Sequence, residues 1–211
     1  MLLAPFELEA GKDLLRGEAG DGDDVGRVSE QAADFLLAAF ADLDLVIEAA
    51  YETMDVKREI FSALDKLVKP GAILATNTSY LDIAAIAAAT ARPADVIGLH
   101  FFSPAHVMKL VEIVRSEETA PDVIATAFAL AKRIGKIAVL SGNAWGFIGN
   151  RMLAMRRQHA EAMAVEGAPP DQVDTVLERF GLAMGPFRVG DLAGLDLGWS
   201  REASTGSTIR E

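Results

Sequence analysis

Cysteine is absent from the 211-residue chain. That excludes disulfides, thiolate nucleophiles and cysteine-ligated metal centres within it, and it is compatible with a reducing compartment. Basic residues are also scarce, with 20 Lys and Arg against 31 Asp and Glu for a net charge of −11. Such acidity disfavours nucleic acid or an anionic membrane as partner, though it leaves room for a local basic patch that receives a phosphorylated cofactor. No uncharged apolar run reaches the ~20 residues of a membrane span. The opening "MLLAPFELEAGK" carries Glu7 and Glu9 where a secretory signal needs a basic segment and then an apolar one. The expectation is a soluble cytoplasmic protein without membrane or nucleic-acid partners.

What is present is an alternating pattern. Residues 1–28 read as irregular, with "RGEAGDGDDVG" as a solvated loop. "SEQAADFLLAAFADL" reads as a helix with Ser29 as its cap. "DLVIEAAYE" is a short apolar run suited to a strand buried on both faces. In "TMDVKREIFSALDKLV" the residues Ile60, Leu64, Leu67 and Val68 form one helical stripe, and "KPG" ends that helix. "AILATNT" and "DVIGLHFF" are further strands. Between them "SYLDIAAIAAAT" reads as a helix in which Ser79 and Asp82 have capping-box spacing. "MKLVEIVR" and "KIAVLS" look like two more strands, joined by a helix that Thr119, Pro121 and Asp122 open and that runs to about Ile134. Strands alternating with helices imply parallel pairing through crossovers.

The pattern changes at residues 142–146, after which "GFIGNRMLAMRRQHAEAMAVEG", "DQVDTVLERFG" and the segment from Pro186 all read as helical. The chain therefore divides into an α/β part, residues 1–143, and an all-helical part, residues 144–211.

Ligands of open parallel sheets lie at the carboxyl ends of the strands. Those ends carry Tyr51 and Glu52, then Asn77, Thr78 and Ser79, then His100 and Ser103. A histidine titrates near neutrality and can take a hydroxyl proton and return it. Glu112 sits inside the apolar run "LVEIV", where a carboxylate is costly unless paired; a histidine would relieve that cost and receive a fixed tautomer in return. Taken singly, His100 also reads as a satisfied core histidine and Glu112 as a solvated edge residue. His106 reads as a turn residue, and His159 as continuing an Ile148, Met152, Met155 packing stripe. Ser79 is accounted for as a helix cap, yet its place at a strand end also suits a substrate or cofactor oxygen. Asn150 lies early in a helix, where Asn is a mediocre choice. Lys57 reads as a solvated helix-face residue unless phosphate or ribose lies nearby.

Five motifs in order, "DLVIEAAYETMDVKREIF", "ILATNTSYLDI", "GLHFFSPAHVMKLVEIVR", "GFIGNRM" and "MGPFRVGDLAGLDLGW", resemble the NAD-dependent L-3-hydroxyacyl-CoA dehydrogenases. The forms "HFFSPAHVMKL" and "DLAGLDLGW" are similar to the dehydrogenase part of multifunctional β-oxidation enzymes of the peroxisomal bifunctional type. The resemblance runs from about Asp42 to Trp199. It implies a partial Rossmann-type parallel sheet followed by a helical domain like that of 6-phosphogluconate dehydrogenase. It also implies NAD as cofactor and an acyl-CoA as substrate. By position, His100 matches the general base and Glu112 the carboxylate paired with it. Ser79 and Asn150 match groups that contact substrate near the reacting carbon. Ala50, Tyr51, Glu52, Lys57, Ser79 and Ser103 match cofactor contacts, Ser103 standing where many members have Asn. Trp145 replaces a usual Pro.

One family motif is missing. No G-x-G-x-x-G turn follows a strand, and Gly17, Gly20 and Gly22 have the wrong order and acidic neighbours that would repel a pyrophosphate. Without the strands that precede it in the family, "DLVIEAA" is expected to form an apolar sheet edge, covered by residues 1–41, by a partner chain or a second copy, or not at all. The same absence sets a catalytically inactive fragment or subunit-binding module beside the enzyme reading.

Overall fold

The computed structural model describes residues 40–193. The helix expected over residues 29–43 and the glycine cluster lie almost wholly outside them. The chain divides into two compact units, Met1–Ile148 and Gly149–Glu211.

The first unit is built on a five-stranded sheet in the order β1 (Leu45–Glu48), β2 (Ile73–Thr76), β3 (Val96–Phe101), β4 (Leu110–Arg115) and β5 (Ile137–Gly142). Strands β1, β2 and β3 are mutually parallel, joined by helices α1 (Met54–Leu67) and α2 (Ile83–Ala87). Strand β4 departs from the expected all-parallel pairing and runs antiparallel to β3. The two are joined by a short loop rather than a crossover helix, and a loop of that length permits only the antiparallel arrangement. Helix α3 (Pro121–Arg133) then returns the chain to a parallel β4–β5 pair.

Side chains alternate between the faces of a strand. On the face covered by α1 and α2, Val46, Leu74, Val96 and Val114 pack with Phe61, Leu64, Ile83 and Phe147. On the opposite face Ile47, Ala75, Ile97, Leu99 and Ile113 pack with Val123 and Ala127 of α3. Gly98 belongs to the first face and faces Val114 across the β3–β4 ladder. A Cβ at Gly98 would lie 2.8 Å from the Val114 Cβ, so only glycine allows these strands and the Ile83 side chain to close up.

Two local expectations are corrected. The buried stripe of α1 is Lys57, Phe61 and Leu64, continued by Val68, with Ile60 and Leu67 at its margins. The large Phe61 ring turns inward, and Lys57 follows it one turn away, buried rather than solvated. Helix α2 is capped not by Ser79 but by Asp82, whose side chain accepts from Ala84 N and Ala85 N. Asp82 is in turn held by Asn143 Nδ2 at 2.6 Å, while Asn143 Oδ1 accepts from Ile83 N. The hydrogen bond from Asn143 holds the Asp82 carboxyl below its usual range.

The second unit contains α4 (Gly149–Val165), α5 (Pro170–Phe180) and α6 (Pro186–Ala193). Its anchor is Asp174, a buried carboxylate that accepts from Phe187 N and Arg188 N in the first turn of α6. The close approach requires Gly185, where any Cβ would collide with the Asp174 carboxylate. Glu178 accepts from Gly185 N and pairs with Arg188, which lowers the Glu178 carboxyl and raises the guanidinium. The packing stripe expected on α4 is not buried: Met152, Met155 and His159 are exposed, and Ala160 is the residue that packs inward. The apolar residues of α4 are spread around the helix instead of gathered on one side.

Candidate active site

The face that is apolar along the bodies of β1 to β3 turns polar at their carboxyl ends. In β1 the alternation passes from Val46 to Glu48, in β2 from Leu74 to Thr76, and in β3 from Val96 through Gly98 to His100. Glu112 joins the same row because it is the register partner of His100 across the antiparallel ladder. Direct cross-strand partners hold their Cβ atoms about 5 Å apart on one face. The sheet itself therefore places the imidazole beside the carboxylate.

His100 Nδ1 lies 2.8 Å from Glu112 Oε2, with only 3% of the histidine and 1% of the glutamate exposed. The second carboxylate oxygen, Oε1, accepts from Ile148 N at 3.0 Å. Two aromatic rings flank the imidazole: Phe102 with centroids 4.5 Å apart, and Phe147 at 5.6 Å. Phe147 is fully buried and adopts φ +48°. A bulky side chain in that left-handed region costs roughly 1–2 kcal/mol.

A second buried carboxylate lies in the same row. Glu48 Oε1 is 2.7 Å from Lys57 Nζ and also accepts from Ala50 N, while Oε2 accepts from Thr76 Oγ1 at 2.8 Å. Lys57 donates further to Ala50 O at 3.0 Å, and its ammonium is 3.6 Å from Glu52 Oε2. Glu48 was not singled out from the sequence. Its signal was present, since a glutamate inside "LVIEAA" needs a cation just as Glu112 does.

The remaining expected residues fall around these two pairs. Glu52 is exposed, and its Oε1 accepts from Thr78 Oγ1 at 2.6 Å, Ser79 N at 2.7 Å and Tyr80 N at 3.2 Å. That carboxylate ties the β1–α1 loop to the segment after β2. Ala50 is half-buried against Lys57, and Tyr51 is 70% exposed. Asn77 Oδ1 accepts from Phe101 N, linking the ends of β2 and β3. Ser103 is exposed after β3, with a cis bond to Pro104. Tyr80 and Trp145 pack in a tilted arrangement with ring centroids 5.2 Å apart. His106 is an exposed turn residue. Asn150 lies in the first turn of α4, in the second unit. The first unit thus brings together His100 with Glu112, and Glu52 with Lys57 and Ser79. No group of three or more His, Cys, Asp or Glu suited to a metal occurs among the described residues.

Comparison with known proteins places this geometry in context. Residues 20–144 match the family described as 3-hydroxyacyl-CoA dehydrogenase, NAD binding domain, and residues 146–209 match the C-terminal domain of the same family. The human peroxisomal bifunctional enzyme is 53% identical over 208 residues, covering 99% of this chain and 28% of the human protein. The glyoxysomal fatty acid beta-oxidation multifunctional protein MFP-a of Cucumis sativus is 45% identical over 156 residues, 74% of this chain and 22% of that protein. Among solved structures, FadB2 of M. tuberculosis superposes with a TM-score of 0.73 at 37% identity, covering 91% of this chain and 68% of that one. The chain spans roughly a quarter of the length of the two curated relatives.

These relatives overturn the expectation of a cytoplasmic protein, because those of eukaryotes are peroxisomal or glyoxysomal by name. Composition and the lack of apolar runs bear on solubility. They do not report a compartment, which is set by receptor-read address signals rather than by bulk chemistry.

Proposed function

The chain belongs to the 3-hydroxyacyl-CoA dehydrogenase family, and from that premise we propose that it oxidises an L-3-hydroxyacyl-CoA to the 3-ketoacyl-CoA of fatty acid β-oxidation. The observation that carries this reading is the buried 2.8 Å pair of His100 and Glu112. With Nδ1 held by the carboxylate, Nε2 is the nitrogen that receives the 3-hydroxyl proton as the C3–H bond breaks. Glu112 fixes that tautomer and stabilises the imidazolium that results, as the aspartate of a serine-protease triad does for its histidine. Ser79 orients the hydroxyl oxygen at the edge of the sheet, and Asn150 is a substrate contact by family resemblance alone.

NAD, when bound, supplies the hydride acceptor. The residues at the carboxyl ends of β1 and β2 fit its ribose and nicotinamide end: Glu52 offers a carboxylate, Ser79 a hydroxyl, and Ala50 and Tyr51 their backbone. Lys57 supports them through Glu48 and Glu52, and Ser103 extends the same edge. The exposed Met152, Met155, Val176 and Phe180 of the second unit support pairing of two copies through their helices.

The test is turnover of a 3-hydroxyacyl-CoA with NAD, beside calorimetric titration of NADH into the purified chain. His100→Gln is expected to lower turnover by about a thousandfold or more, with a stability loss of about 1–3 kcal/mol that leaves the chain folded. An unaltered rate would rule out His100 as the base. NADH binding that is absent or only millimolar would favour a non-catalytic role for this polypeptide.

A further inference from the structure

The proposed reaction asks more of His100 than a carboxylate neighbour. One hydrogen bond at Nδ1 does not by itself lock the ring, which turns about its Cβ–Cγ bond, and exchanges its tautomer, each time that hydrogen bond opens. Two groups oppose that rotation. Phe102 stands 4.5 Å from the imidazole centroid at an interplanar angle of 51°, and Phe147 stands 5.6 Å away at 60°.

The two rings reach their places by different routes. Phe102 follows His100 by two residues, just past the end of β3. Phe147 comes from the far end of the unit, in the turn after β5. Its backbone sits at φ +48°, which phenylalanine rarely adopts and which an ordinary core-filling role does not require. The next residue, Ile148, donates its N–H to Glu112 Oε1, while Glu112 Oε2 meets His100. Imidazole, carboxylate, backbone amide and phenyl ring therefore form a closed circuit. The carboxylate that orients the imidazole along its edge also anchors the turn that delivers a ring beside it.

We propose that Phe147 and Phe102 are positioning residues for the base: together they hold the His100 ring so that Nε2 keeps one direction, and the left-handed turn at Phe147 exists to deliver its ring. The proposal rests on His100 being the base, and its test separates the two ideas.

The chain has three histidines, so the ring nitrogens of His100 can be followed by long-range proton–nitrogen NMR of the whole protein, with the tautomer read at the alkaline end of a pH series. The wild-type protein is expected to show one His100 tautomer, protonated at Nδ1. Phe147→Leu and, independently, Phe102→Leu are expected to give a mixture of tautomers or an exchange-broadened signal, and Phe147→Tyr to restore the single form. In turnover, each leucine variant should lower kcat by about 10- to 100-fold with KM nearly unchanged. Phe102 is only half-buried, so its variant carries the test if Phe147→Leu does not fold.

A single tautomer in the wild type and in both leucine variants, with kcat unchanged, overturns the proposal and leaves the dehydrogenase reading standing. Loosening in the variants without turnover in any protein supports the positioning role and sinks the dehydrogenase reading. A mixture already present in the wild type overturns the proposal outright.

Discussion

Two buried carboxylates lie on one face of the sheet, and they do different work. Glu48 meets Lys57, and the remaining contacts of the pair are to Ala50, Thr76 and Glu52. Glu112 meets His100, an imidazole of the kind that serves as acid or base, and a backbone amide from the end of the unit. Both satisfy the rule that a buried charge needs a partner. The Glu48–Lys57 pair braces the loop that carries Glu52. An ionisable pair can accept a proton and give it up. The contrast supports the proposal that the histidine pair carries chemistry and the lysine pair scaffolding.

The contrast can be broken most severely at Glu48. Replacing Glu48 or Lys57 alone by Ala or Met leaves an uncompensated buried charge, and a loss of about 3–5 kcal/mol is expected from urea unfolding. Replacing both together by apolar residues should recover most of that loss. If the double variant is no better than the singles, the pair is not simply a brace.

Glu112→Gln is the milder change, since an amide still accepts from Ile148 N while the charge-assisted bond to His100 is lost. The expected stability loss is about 1–3 kcal/mol, with turnover falling far more than stability does. A variant that loses stability but keeps its rate would make Glu112 a brace like Glu48.

The smallest effect is expected at Asp82. Its carboxyl is depressed in the folded chain by Asn143 and the α2 backbone amides. A depressed folded value means the stabilisation is present above the unfolded pKa and fades as pH falls through the folded one. Asn143→Ala should therefore flatten the decline in urea midpoint as pH falls from about 5 through the folded value. An identical acid-side slope in the variant would dissociate Asn143 from the cap.

Much of this architecture was legible from alternation. Short apolar runs placed every described strand of the first unit, and the segments read as helical after residue 146 coincide with the described helices of the second. Glu112 was legible because a charge inside "LVEIV" demands a partner, and His100 was the ionisable candidate at a strand end. Lys57 was misread because lysine is solvated by default; its burial follows from Glu48, nine residues earlier at the end of β1, whose own need for a cation was the overlooked signal. Ser79 and Asp82 are both good caps. The choice fell to Asp82 because Glu52 engages the Ser79 amide from another element. On α4, spacing alone could not tell an inward methionine from an outward one. The antiparallel turn between β3 and β4 was written in the shortness of its loop, a signal outweighed by the alternating pattern around it.

That antiparallel turn has a consequence for how the pair assembles. His100 and Glu112 are twelve residues apart, in two strands of a single hairpin, whereas Glu48 must find Thr76 across a crossover helix. Closing so short a loop has a small entropic cost and proceeds quickly. The proton-handling pair is therefore carried by one contiguous ribbon, residues 96–115. A chain cut or permuted anywhere outside that ribbon would still carry both partners on one piece.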